Sequence, residues 1–179
     1  MSSADAKPAL NNLVNGELAS AHLYWQAAGW CFDRHLDGCG EFLLAHADEE
    51  LTHMRKMMRF MIDSDITIRL DALPEPAVDV DSVLALFEKI LAHEQKVTDS
   101  IGHEVNKAQA CGDHSTFEFL QWFVMEQRGE MKLFRDIVDR IKLIGDGPQA
   151  LYFIDQEVAG IGASAAAMDQ AAPNPTAVA

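Results

Sequence analysis

The sequence lacks the features that define several large classes of protein. Its three cysteines are an odd number and are not spaced as metal-binding pairs, so we expect reduced thiols rather than a disulfide framework. No uninterrupted apolar run approaches the roughly 18 residues of a membrane span. The opening MSSADAKPAL has no apolar centre typical of a secretory signal. We therefore expect a cytoplasmic protein with no membrane partner.

Basic charge is also scarce. The chain has 14 Lys and Arg against 28 Asp and Glu, which gives a formal net charge of -14. Because a nucleic-acid partner requires a basic surface, we expect none. The acidity is consistent either with solubility alone or with a surface that attracts cations.

Glycine and proline are rare inside the long periodic segments, which favours an all-helical protein. The length of 179 residues suits one domain with a sizeable core. The loop His35–Gly40, the turn Cys111–His114 and Gly145 separate the periodic segments. The helices are predicted over these approximate ranges: Pro8–Arg34, Glu41–Asp63, Asp81–Ala110 with Asp81 as N-cap, Ser115–Ile144 opened by the capping box Ser115-x-x-Glu118, and a short fifth helix Gln149–Ala159.

The segment Ser64–Asp81 is too long for a tight turn and too rich in proline for a helix. A connection of this length can cross a whole bundle, so helices two and three can run parallel, although a short strand remains an alternative. The predicted fold class is all-α, a four-helix bundle with this long crossover and a short C-terminal fifth helix. We assign residues 1–160 to one domain and expect residues 161–179, rich in Ala and Pro, to be a disordered tail. The apolar fifth helix predicts a subunit contact.

Each of the four long segments has an apolar stripe with steps of three and four, so the members of a stripe share one helix face. A carboxylate interrupts every stripe, and a bare carboxylate in a bundle core has a large desolvation cost. A multivalent cation would neutralise such a cluster, and this pattern across four helices is how bundles hold two iron ions. The predicted ligand-type residues are Glu17, Glu50, His53, Glu94, Gln127 and Glu130.

Four further side chains lie on or beside these stripes, and each has two interpretations. Tyr24 is either a redox residue or a core tyrosine with one hydrogen-bond partner. His46 lies one turn before Glu50 and is either a cavity-side residue or, as we expect, a satisfied core histidine. Glu49 and Glu126 lie at the stripe edges and form either an accessory cation site or part of a solvated face.

At these residues the chain resembles the bacterial non-haem ferritins. The resemblance runs from about Leu10 to about Val158. The resemblance is concentrated in five segments: NGELASAHLYWQ around Glu17, AHADEELTHM around Glu50, HEQ around Glu94, FLQWFVMEQ around Gln127, and LYFIDQE in the fifth helix.

The resemblance implies a haem-free cage of 24 identical subunits that oxidises Fe(II) with O₂ or H₂O₂ and stores ferric mineral. It implies a first iron held by Glu17, Glu50 and His53. It implies a second iron held by Glu50, Glu94 and Glu130, with Gln127 close by and Tyr24 as a redox residue. Glu49, Glu126 and Glu130 match part of a third iron site.

Two departures from the family pattern stand out. The family's third site has a glutamate where this chain has Gly129, and the residues after about Gly160 match nothing. Haem-bearing bacterioferritins use a methionine where this chain has Thr52, which favours the haem-free branch. Two other functions stay open from the residues alone: a di-iron oxidase or peroxidase of the same fold group, and an iron-binding scaffold without useful turnover.

Overall fold

The protein is a bundle of helices joined by short turns and one long connection. The computed structural model describes residues 9–171, with side chains described to residue 164, and these residues contain no strand. The helices are α1 (Leu10–Phe32), α2 (Asp37–Asp63), α3 (Val83–Cys111), α4 (His114–Ile144) and α5 (Ala150–Ala171). The predicted fold class is therefore confirmed. Within the described residues, no helix is both long and apolar enough to cross a bilayer.

The connection between α2 and α3 runs along α1 from one end of the bundle to the other. Near the start of α1, the Asn11 side chain bonds the backbone of Thr67 and Arg69 at 2.9 and 2.7 Å. Near its end, the Trp30 indole donates to the Val80 carbonyl at 3.2 Å. Since the connection crosses the full bundle, α3 starts at the same end as α2 and the two helices run parallel. The strand alternative is wrong because asparagine side chains, rather than another strand, pair with the extended backbone.

Two apolar clusters fill the ends of the bundle. One contains Trp30, Leu43, Phe87 and Ile137, and the other contains Leu13, Met61, Ile101 and Leu120 among its buried members. A layer of buried polar residues lies between them: Glu17, Glu50, His53, Glu94, Gln127 and Glu130. The apolar ends exclude water from this layer, so its charges interact strongly.

The loop between α1 and α2 is shorter than the predicted His35–Gly40, because α2 begins at Asp37. Its glycines do not break the helix but permit close contacts. A Cβ at Gly38 would lie 2.5 Å from the Asp155 carbonyl oxygen, and one at Gly40 would lie 2.6 Å from the Phe32 ring. In a sequence, glycine usually indicates a turn. Here the glycines lie inside a helix, at positions where the neighbouring helices leave no room for a side chain.

Three other predicted helix starts are displaced by one or two residues. The predicted start of α1 at Pro8 lies outside the described residues, and the helix begins at Leu10. Ser82, not Asp81, caps α3, since its hydroxyl accepts from the Ala85 N–H at 3.1 Å. Asp113 caps α4 in place of the predicted Ser115 box, accepting from the Thr116 N–H at 3.0 Å. The predicted stop of α4 holds, since Gly145 follows it with a φ of 78°.

The fifth helix is longer than predicted. It continues past Ala159 to Ala171 and so includes residues 161–171, the first part of the segment for which a disordered tail is predicted. Alanine is the best helix former, and two residues of this stretch also pack against the bundle. Ile161 contacts the apolar core, and a Cβ at Gly162 would lie 3.0 Å from the Phe42 ring. Residues 172–179 lie outside the described residues. No structural break marks the predicted domain boundary at 160.

Candidate metal centre

The middle layer brings together a carboxylate from α1 with a carboxylate and an imidazole from α2. Ligand atoms of Glu17, Glu50 and His53 all lie within 4.8 Å of one another. Glu50 and His53 are three residues apart and so share one helix face, with Oε2 to Nδ1 at 3.4 Å. All three side chains are buried. This group matches the ligand set expected for the first iron.

The carboxylates of this group disturb each other's protonation. Burial raises the pKa of Glu17 well above its ordinary value, and a hydrogen bond with Glu50 and the charges of the other carboxylates raise it further. Burial also acts on Glu50, but hydrogen bonds from His53 and Glu17 outweigh it and lower the Glu50 pKa. Burial lowers the His53 pKa, yet the hydrogen bond to Glu50 raises it overall. The group is thus held together by shared protons, as a site for a cation would be in the absence of one.

Glu94 on α3 lies at the centre of a second set of contacts. The Tyr24 hydroxyl donates to its Oε1, and the Gln127 side-chain amide donates to its Oε2. The same amide lies 3.2 Å from the Glu94 carbonyl oxygen. Burial raises the pKa of Glu94 to about 7, and the charge of Glu50 adds to this. Burial and the charge of Glu94 also raise the pKa of Tyr24 well above its ordinary value.

The Oε2 atom of Glu130 on α4 faces His46 on α2. This atom lies 3.6 Å from Nε2 of His46, and neither atom has a hydrogen-bond partner. Burial raises the pKa of Glu130 well above its ordinary value, and the charges of Glu49, Glu50, Glu94 and Glu126 act in the same direction. The expectation that His46 is a satisfied core histidine is therefore wrong for one of its two ring nitrogens.

The outer carboxylates complete the layer. Ligand atoms of Glu49, His53 and Glu126 lie within 4.8 Å of one another, and so do those of His46, Glu49 and Glu130. Glu49 thus belongs to two possible cation groups. The sequence predicts Glu49 and Glu126 as an accessory pair, and each of these two groups adds a histidine to one or both of them. The available signal for His46 was its position on the α2 stripe one turn before Glu50.

The donor set fits iron. Within residues 9–171, no lysine or arginine forms a salt bridge with Glu17, Glu50, Glu94 or Glu130. Several buried carboxylates without a basic partner are unstable unless they bind protons or a cation. Carboxylate oxygen with one imidazole is the donor chemistry that Fe(II) and related divalent ions accept. Binding would displace the protons that the raised pKa values retain.

A family profile and several known proteins match most of the chain. The family profile described as the ferritin-like domain matches residues 7–144. The bacterial non-haem ferritin of Campylobacter jejuni is 42% identical over 164 residues, which are 92% of this chain and 98% of that protein. The bacterial non-haem ferritin of Escherichia coli O6:H1 is 38% identical over 149 residues, 83% of this chain and 90% of that protein.

Among solved structures, an open-pore ferritin from the hyperthermophilic archaeon Archaeoglobus fulgidus superimposes with a TM-score of 0.82 at 36% identity. The match covers 89% of this chain and 96% of that one.

Proposed function

Because this chain belongs to the ferritin family and matches its bacterial non-haem branch, we propose that its middle layer is the centre at which two Fe(II) ions are oxidised. The protein is an iron-storage ferroxidase that binds iron. Membership of this family favours the function over the two alternatives that the residues alone left open, a di-iron oxidase or peroxidase and an iron-binding scaffold without useful turnover. The observation that supports the location best is the buried group Glu17, Glu50 and His53, whose carboxylates form no salt bridge with a lysine or arginine of the described residues.

In the proposed centre, Fe(II) is the substrate. Glu17, Glu50 and His53 bind the first ion, and Glu94 and Glu130 bind the second. Glu50 lies between them as the shared carboxylate. Two ions held side by side can deliver one electron each to a single molecule of O₂ or H₂O₂. Water hydrolyses the ferric ions with release of protons, and the resulting ferric-oxo product leaves the carboxylates for the mineral.

Tyr24 and Gln127 position Glu94 for the second ion. Each donates a hydrogen bond to a different oxygen of the Glu94 carboxylate. A cation at Glu94 must displace at least one of these donors, or share the oxygen with it. In its proposed redox role, Tyr24 gives one electron to the O₂ or H₂O₂ that is being reduced at the centre, and its hydroxyl proton passes to the Glu94 carboxylate that it already contacts. Phe134 stacks on the Tyr24 ring with a centroid separation of 5.8 Å and fixes its orientation.

Rapid mixing of Fe(II) with the aerated protein tests the proposed centre. We expect fast oxidation at two Fe(II) per subunit and loss of most of that rate in Glu50→Ala, since Glu50 serves both ions. Glu94→Ala should retain binding at the first position. Glu118→Gln, an exposed change on α4, is the control. Oxidation no faster than in buffer, or an unchanged rate in Glu50→Ala, would contradict the proposal.

Assembly into a cytoplasmic cage of 24 identical subunits is the second part of the proposal. Leu151, Tyr152 and Phe153 on α5 are 56%, 65% and 53% exposed in the single subunit. An exposed aromatic and aliphatic patch of this kind is typical of a contact surface. Native mass spectrometry should give a 24-subunit mass for the full chain and smaller species for a chain that ends before Gly147. A full chain that stays monomeric would refute this part.

A further inference from the structure

Two cysteines lie side by side where α1 ends and α2 begins. Cys31 is the last residue but one of α1, and Cys39 is the third residue of α2. Both are fully buried and belong to one apolar cluster. The structure holds them as free thiols, and a hydrogen bond joins the two side chains. Two thiols in direct contact are the arrangement from which an intramolecular disulfide forms.

The short connection between the helices produces this contact. The Leu36 N–H donates to the Cys31 carbonyl oxygen at 3.1 Å, and α2 starts at the next residue. The following residues show how closely the two helices approach, since a Cβ at Gly40 would lie 2.6 Å from the Phe32 ring. Cys31 precedes Phe32 and Cys39 precedes Gly40, so the two sulfurs belong to the same close approach.

Asp155 on α5 makes the two sulfurs chemically different. Its Oδ1 accepts from the Cys39 N–H at 2.9 Å, and its carboxylate also contacts the Cys39 thiol. The hydrogen bond with Cys31 raises the pKa of the Cys39 thiol, and burial and the charge of Asp155 raise it further. Cys39 therefore keeps its proton and can donate it in a hydrogen bond to the Cys31 sulfur. A thiolate that forms in this pair is on Cys31, where the Cys39 S–H stabilises it.

A cleft of about 550 Å³ between α2 and α5 leads to this corner of the bundle. Its walls include Gly38 and Phe42, which lie before and after Cys39 in α2, and Ala159 of α5. Hydrogen peroxide is little larger than water, so a small opening at this cleft admits it to the sulfurs. Bulkier thiol reagents stay outside.

We propose that Cys31 and Cys39 are a redox-active thiol pair that hydrogen peroxide converts to an intramolecular disulfide. The Cys31 thiolate attacks one oxygen of H₂O₂, so an S–O bond forms, the O–O bond breaks, and the hydroxide that leaves takes up a proton to give water. The Cys39 sulfur then attacks the sulfenic sulfur of Cys31, so the S–S bond forms and the S–O bond breaks. The second water leaves with the Cys39 proton.

The electrons and protons balance without a metal ion. The two thiols lose two electrons and two protons, and H₂O₂ takes them up to give two water molecules. Each subunit thus removes one molecule of H₂O₂ and can be restored by a thiol reductant. In the working protein this peroxide is the oxidant or the product of iron oxidation, a statement that rests on the ferroxidase function proposed above.

The test uses the full-length assembled protein with its iron removed by a chelator. Cys111→Ser leaves the pair as the remaining two of the three cysteines. After incubation with H₂O₂, the denatured subunit should be lighter by two hydrogen atoms and should have no thiol left to alkylate. Peptide mapping should link Cys31 to Cys39, and dithiothreitol should restore both thiols. Because iron is absent, the result does not depend on the proposed ferroxidase centre.

Two further variants in the Cys111→Ser protein assign the steps. Cys39→Ser keeps a hydroxyl group beside Cys31 but cannot form the disulfide, so H₂O₂ with dimedone should give a sulfenic-acid adduct at Cys31. Cys31→Ser leaves the protonated Cys39 beside Asp155. Its adduct should form more slowly by roughly tenfold or more, which is the effect of one pKa unit on the thiolate fraction.

Three outcomes would overturn the inference. The first is that both thiols stay free in a peroxide solution that oxidises the exposed Cys111 of the parent. The second is a disulfide that joins cysteines of different subunits. The third is an adduct at Cys39 in Cys31→Ser with none at Cys31 in Cys39→Ser, which would reverse the roles of the two sulfurs. If a serine variant does not fold, the mass and the peptide map of the Cys111→Ser protein still decide.

Discussion

Replacing Glu94 by Gln should stabilise the iron-free protein while it damages iron oxidation. Glu94 is fully buried and its side chain is held by Tyr24 and Gln127. Burial raises the pKa of its carboxyl from the ordinary 4.5 to about 7. At pH 8 the folded protein must therefore hold a buried charge that the unfolded chain holds in water. Gln has the same shape and no charge, so it removes this unfavourable term.

The sign and size of the effect follow from proton linkage. The folded protein keeps the proton up to about pH 7, whereas the unfolded chain releases it near pH 4.5. The stability of the folded state consequently falls as pH rises through this window, and the loss is complete above pH 7. One pH unit corresponds to about 1.4 kcal/mol, which sets an upper limit of roughly 3 kcal/mol per subunit. The neighbouring carboxylates and rearranged hydrogen bonds reduce this amount.

The assay compares melting temperatures of chelator-treated parent and Glu94→Gln between pH 5 and pH 8.5. We expect the variant to melt higher at pH 8 and the difference to shrink toward pH 5. Added Fe(II) without oxygen should raise the melting temperature of the parent more than that of the variant. Glu118→Gln serves as the exposed control. A variant that is less stable at pH 8, or a difference that does not depend on pH, would refute the reasoning.

Three further changes test other parts of the structure. Gly40→Ala should lower the melting temperature, because the new Cβ would lie 2.6 Å from the Phe32 ring, at a cost of about 1–3 kcal/mol. Gly102→Ala is the matched control: its Cβ would meet no atom within 4 Å, so the change should stabilise the protein by up to about 1 kcal/mol. A Cβ at Gly129 would meet no atom within 4 Å. Gly129→Glu should therefore strengthen the binding of a third iron ion and change the Fe(II):O₂ ratio in oxygen-electrode measurements. If the variant behaves like the parent, Gly129 has no role in tuning a third site. A thiol reagent should label one cysteine per native subunit, the exposed Cys111, and mass mapping that finds the two buried thiols modified first would contradict this.

Local geometry is the reason that the site residues could be found in the sequence. A residue's place on a helix face depends only on its spacing, so Glu50 and His53 had to share a face once α2 formed. The same rule placed Glu17, Glu94 and Glu130 inside a bundle. Glycine after α4 and the proline-rich connection likewise marked the helix ends and the crossover through their own backbone restrictions.

Partners from different helices could not be read in the same way. The structure shows that Glu94 accepts from Tyr24 and Gln127, residues 70 and 33 positions away. It also turns Glu130 toward His46. These pairings depend on side-chain direction and on how the helices approach, and helical spacing specifies neither.

The sequence by itself thus determined the all-helical class, the crossover and the set of buried ligand-type residues, since each follows from periodicity and short-range backbone preference. Tertiary structure alone decided which of those residues face one another. It also decided that Gly38 and Gly40 lie within a helix at close contacts and that α5 continues past Ala159 against Phe42. The physical reason is that several side-chain directions and helix ends are equally compatible with the local sequence. Close packing against residues far apart in the chain selects one of them.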